Sequence, residues 1–212
     1  MTFATPQSIA VEFGEVTDPH TSQHRLKEMV DILQRKLKAS PSNPDIREYL
    51  GIALFRIGDI DDGLSKMKSA LTINPSAATA GNLVLGYRRA GMWDESLVIH
   101  LKYHDLTEEP VLFSALLSGN YSQEVLSACR TDEQRETLNR IAKSGLPISA
   151  VIRDIYNSVG ENTEFAITVT ENSGQDCVDI HMFTNESVEK SVNISDSVFR
   201  CLVDNYDSDV LE

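Results

Sequence analysis

The sequence predicts an α+β chain. An N-terminal all-α helical repeat is followed by a small C-terminal unit with a β-hairpin or three-stranded antiparallel sheet and a terminal helix. Three observations carry this. The segment Arg56-Ile57-Gly58-Asp59-Ile60-Asp61-Asp62-Gly63-Leu64 recurs as Arg89-Ala90-Gly91-Met92-Trp93-Asp94-Glu95-Ser96-Leu97, with every pair of equivalent residues 33 positions apart. A period of roughly 34 residues built from two helices and a turn marks a stacked helical repeat, in which each unit buries its apolar side on the next. After Gly160 the hydrophobic period changes from helical to alternating. Finally, the net charge of −13 is uneven: residues after 150 carry three basic side chains against thirteen acidic ones, and the first 150 carry 16 against 19.

The elements follow in order. Residues 1–20 form an N-terminal segment in which Ile9, Val11 and Phe13 alternate with polar or small neighbours, weakly strand-like, before a turn at Thr17-Asp18-Pro19. From about Thr21 to Ala39, Leu26, Met29, Val30, Leu33 and Leu37 make a helical stripe that stops at Ser40-Pro41-Ser42-Asn43-Pro44. Two helices then span about Asp45–Ile57 and Ile60–Ile73, split by Gly58-Asp59 and closed by Asn74-Pro75. A second pair covers about Ala78–Ala90 and Met92–Asp105, split at Gly91.

Beyond Leu106 the repeat decays. Val111–Leu117 and Gln123–Arg130 make a shorter pair around Gly119-Asn120-Tyr121, and Asp132–Lys143 and Ser149–Val159 make two more helices around Gly145-Leu146-Pro147. The helical domain therefore spans 21–159. In the acidic unit, 160–212, Phe165, Ile167 and Val169 alternate with polar and small residues, as do Val178, Ile180 and Met182 after the turn at Asn172-Ser173-Gly174. Ser187–Ile194 offers a third strand, and Ser195-Asp196 an N-cap for a short helix carrying Val198, Phe199 and Leu202.

Composition excludes some functions. With 212 residues and 41% hydrophobic content the chain can bury a core without metal or disulfide support. Three cysteines (Cys129, Cys177 and Cys201), an odd number without C-x-x-C spacing, suit reduced thiols in the cytoplasm. The start, Met1-Thr2-Phe3-Ala4-Thr5-Pro6, has no basic and apolar leader, and no apolar run approaches a membrane span. An acidic chain without a basic stripe repels nucleic acid and anionic membrane surfaces alike, so neither is expected as a partner.

The segment from Pro41 to Leu106 resembles the tetratricopeptide repeat. With Pro44 as first position, Leu50-Gly51 falls on the family's Leu-Gly, Leu54 on its aromatic position, Gly58 on the turn glycine and Ile60 on the packing residue after it. Gly63 takes the small position where the helices touch, Met67 a position usual for Tyr or Phe, Ala70 the second small position, and Pro75 the terminal proline. Leu83, Tyr87, Gly91, Trp93, Ser96, His100 and Tyr103 take the corresponding places in the second unit. Tyr103 is too large for its place, and Leu85-Gly86 is out of register with the motif. The Thr21–Ala39 helix fits the second half of a truncated earlier unit.

The resemblance implies a concave face lined by the first helix of each unit, taking a peptide or protein segment. Its residues would be Tyr49, Ile52, Phe55 and Arg56 from one unit and Asn82, Leu85, Arg88 and Arg89 from the next. Arg56 and Arg89 hold equivalent places, so side by side they would grip a carboxylate. The Lys and Asn of chaperone-tail clamps are replaced by Glu48 and Ile52, which argues against that ligand.

Signals for chemistry are thin. His100 and His104, like His20 and His24, have the i,i+4 spacing of metal ligands, but His100 falls on a core position and no third ligand is suggested. Asp59, Asp61 and Asp62 sit at a helix start, where exposed amides favour negative charge. No nucleophile elbow or phosphate loop is present. No catalytic residue, metal or cofactor is therefore assigned. The expected function is a cytoplasmic, non-enzymatic adaptor. A dedicated chaperone or assembly factor, as in bacterial secretion, is the alternative within the binding class. An enzyme using Cys177, Asp179 and His181 is the alternative outside it. Self-association as a homodimer would hide an uncapped end of a short array.

Overall fold

The computed structural model describes residues 13–107, 110–144, 147–159, 163–172 and 175–184. Contacts divide the chain into two units, Met1–Glu109 and Pro110–Glu212.

In the first unit a single 3-10 turn, Gly14–Val16, precedes five helices: α1 (Gln23–Ala39), α2 (Pro44–Arg56), α3 (Ile60–Ile73), α4 (Ala77–Arg89) and α5 (Trp93–Lys102). The prolines and polar caps set their starts. Asn43 Oδ1 accepts from the amides of Asp45 at 3.0 Å and Ile46 at 3.1 Å, and Pro44 opens α2 where its missing N–H costs nothing. Ser22 and Ser76 cap α1 and α4 in the same way.

The glycines set the ends. Gly58 has φ 98° and Gly91 φ 72°, a conformation that costs a residue with a Cβ about 1–2 kcal/mol. Each glycine donates to the carbonyl three residues back. The next residue donates five back, Asp59 to Leu54 at 3.0 Å and Met92 to Tyr87 at 2.9 Å. Two such closures 33 residues apart turn the chain identically twice.

The turns fold α2 onto α3 and α4 onto α5, with α3 also against α4 and α1 against α2. Leu64, Met67 and Leu71 of α3 share one core with Leu83, Val84 and Tyr87 of α4 and Ile99 of α5. A second core joins Met29, Val30 and Leu33 of α1 to Leu50, Ala53 and Leu54 of α2, and is closed by Phe13 and Val16. The N-terminal segment therefore enters that core at Phe13 as helical turn, not as a strand. The part of the strand expectation before Phe13 lies outside the described residues.

Small residues set the spacing in the first pair. A Cβ added to Gly63 would lie 2.7 Å from the Phe55 amide nitrogen and 2.8 Å from the Gly51 carbonyl oxygen. The backbones touch there, and Gly51 faces the same contact from α2. In the second pair Ser96 is buried and donates to the Val84 carbonyl at 3.2 Å.

The second unit carries α6 (Val111–Ser118), α7 (Gln123–Ala128), α8 (Asp132–Ser144) and α9 (Ile148–Val159). Gly119, at φ 73°, ends α6. Arg153 of α9 donates to the carbonyls of Leu117 and Ser118, at 2.9 Å for Ser118, placing positive charge on the negative end of α6. Leu116, Leu138 and Ile152 are fully buried.

The α+β expectation is corrected. From 13 to 159 every described element is helical, and these helices supply nearly all the described buried side chains, so the packed fold is all-helical. The backbone of Thr163–Asn172 runs antiparallel to Gln175–Thr184, Thr163 opposite Thr184. Two strands make no core of their own and do not set a fold class, whereas alternation in the sequence weighs such a ribbon equally with a packed sheet. The expected third strand and terminal helix, 187–202, lie outside the described residues.

Candidate partner-binding face

The face expected from the first helices has to be built from α2 and α4, whose inner sides carry the eight candidate residues. Seven of them are partly or wholly buried; Arg89 alone is exposed. Ile52 and Phe55 lean on the shared α3–α4–α5 core. Arg88 is 5% exposed, so the place equivalent to Phe55 holds a buried cation, not part of an open wall.

Arg56 does not stand ready for a carboxylate. Its Nη1 donates to the carbonyls of Val16 and Asp18, both at 2.7 Å, and its Nη2 to Pro19 at 3.2 Å. Gln23 Nε2 donates back to the Arg56 carbonyl at 2.9 Å. The guanidinium thus grips the backbone of the segment ahead of α1. Phe13 reaches the same region: its ring centroid lies 6.2 Å from that of Tyr49, with Lys36 Nζ 5.0 Å above it. Burial, then the nearby carboxylates of Glu48 and Asp45, push the Tyr49 hydroxyl above its ordinary pKa.

Asn82 is also engaged. Glu48 accepts from Asn82 Nδ2 at 2.8 Å and from Thr79 Oγ1 at 2.7 Å, tying α2 to α4. The residue that argued against a chaperone-tail clamp is therefore the polar joint between the two pairs. In the sequence Glu48 stands out only for the ligand it excludes. Its spacing of 34 residues from Asn82, close to the repeat period, was the available signal that the two face each other.

The histidine pairs do not converge on a site. His100 is 1% exposed within α5, while His104 lies half-buried with Nδ1 2.9 Å from the Leu101 carbonyl and Nε2 3.2 Å from Asp105. His24 is exposed and meets Glu28 at 3.4 Å. Among the described residues no three His, Cys, Asp or Glu side chains gather where they could hold a metal. Cys129 is buried, which pushes its thiol above the ordinary value against the opposing effect of Arg135. The side chains of Cys177, Asp179 and His181 lie outside the described residues.

Within the described residues no helix is long and apolar enough to cross a membrane. No family model, no curated protein and no solved structure matches the chain.

Proposed function

We propose that the chain is a non-enzymatic interaction module of the tetratricopeptide type, working in the cytoplasm, whose α2–α4 face docks a segment of a partner protein. The observation that supports this is the repetition of one contact. Gly51 against Gly63 in the first pair corresponds, 33 residues on, to Val84 against Ser96 in the second, and both contacts lie inside the pairs. Equivalent turns, with the helices of each pair meeting at equivalent positions, give α2 and α4 the same aspect, which is what a repeat array needs to present one continuous face. Leu85 and Ile52, half-buried, supply its apolar part, and Arg89 supplies an exposed cation at its edge. A partner offering an apolar side chain beside an acidic one suits that surface.

The test is site-specific photo-crosslinking in cells. A benzophenone side chain at Leu85 on α4 is expected to capture a protein that the same probe at Val98 on α5 does not. Identical adducts from both positions would remove the face from consideration, and turnover of a small molecule abolished by Leu85→Asp would replace the module with an enzyme.

A further inference from the structure

The segment ahead of α1 occupies part of the face just assigned to a partner. Phe13 is 2% and Val16 0% exposed, seated against Leu33 of α1 and Leu50 and Leu54 of α2. Tyr49 and Arg56, two residues of the face, make the ring contact and the three carbonyl contacts that hold it. Yet among the described residues its own backbone hydrogen bonds close locally, Thr17 to Gly14 and Thr21 to Asp18, both at 3.1 Å. Between the two apolar anchors and after them, Glu15, Thr17, Asp18 and Pro19 are exposed. A segment held by two apolar side chains, the Arg56 guanidinium and an exposed Glu15–Arg25 ion pair at 2.7 Å, with no backbone ladder to a helix, can open without unfolding what lies beneath it.

We propose that residues 13–19 are a self-docked strap, and that the partner segment binds by displacing it. The incoming segment would carry an aromatic residue followed three positions later by an aliphatic one, in the places of Phe13 and Val16, and would offer its next carbonyls to Arg56. This deepens the reading of α2 as part of a partner face and rests on it. The strap lowers apparent affinity by the fraction of molecules in which it is closed, so partner binding is gated by a local opening.

The proposal is tested on the full chain without any partner. A fluorescein-labelled peptide of residues 10–22 is titrated into wild type, Phe13→Ala/Val16→Ala, and that double variant with Arg56→Ala. The double variant, its own strap released, is expected to bind at least about tenfold more tightly than wild type, and Arg56→Ala to abolish the gain. Equal binding by two chains that circular dichroism shows folded would overturn the strap. Should the double variant unfold, thiol labelling of Val16→Cys and Leu50→Cys, read site by site by mass spectrometry, decides. The thiol at position 16 is expected to react at least about tenfold faster. Equal rates would mean that the segment leaves only when the whole unit unfolds, and the proposal falls. Neither result bears on whether the Leu85 surface captures a partner.

Discussion

The two helical pairs, α2–α3 and α4–α5, run through the same turns, yet they are held together differently. In the first, Gly51 and Gly63 let two backbones touch, and Met67 fills the space beyond. In the second, the equivalent positions are Val84 and Ser96, so a hydroxyl stands between the helices and is satisfied by the Val84 carbonyl at 3.2 Å. His100 takes the buried place of Met67, and half-buried Tyr103 takes that of Ala70. A repeat can thus keep its turn while relaxing its close contact, provided that whatever enters the gap is hydrogen-bonded. The equivalent places also differ in burial: Arg56 is half-buried and Arg89 is exposed.

The harshest way to break the comparison is Gly63→Val. Its Cβ alone would meet three atoms closer than 3.0 Å, two of them backbone, so α2 and α3 must separate. A loss of about 3 kcal/mol or more is expected by chemical denaturation, at the upper end for overpacking. Glu48→Ala, which takes away the carboxylate that Thr79 and Asn82 share, should cost about 1–3 kcal/mol and loosen α2 from α4 while each pair keeps its own turn. Unchanged stability there would show that the pairs are joined by apolar contact alone. Ser96→Ala should cost only about 0.5–1.5 kcal/mol, because it removes the donor and leaves the contact packed. If it costs as much as Gly63→Val, the two contacts are equally tight and the contrast drawn here is wrong.

The smallest effect is on pH. Burial raises the hydroxyls of Tyr49 and of Tyr87, the latter also under the influence of Glu95. Each is held neutral by the fold, so their contribution is complete below the unfolded value of 10.0 and is lost as pH rises through the raised folded value. Unfolding midpoints should therefore fall above pH 10 in wild type and less steeply in Tyr49→Phe/Tyr87→Phe, compared at pH 9 and pH 11. Parallel curves would place both hydroxyls in water.

How much could be read from the residues differs along the chain. Ile60–Ile73 occupies the span its apolar period and flanking Gly58-Asp59 and Asn74-Pro75 define, because a left-handed glycine and a proline act locally. The second unit's helices were legible in place, because each start and stop is again a local signal. The acidic tail misled the fold class, since alternation records a local period and not whether a sheet carries a core.

The chain's order of helices and its two equivalent turns were determined by sequence alone, because caps and glycine dihedrals are short-range facts. Which groups those helices bring together was decided only in three dimensions. Arg56 reads as a cation on an open face until the fold carries Val16, Asp18 and Pro19, 37 to 40 residues away in sequence, under its guanidinium. Glu48 likewise finds Thr79 and Asn82 only once α2 and α4 lie side by side. Periodicity fixes which side of a helix is apolar. The repeat period hints that residues one unit apart, such as Glu48 and Asn82, come together, but the partners of Arg56 follow no such period and are chosen by how the segment ahead of α1 packs.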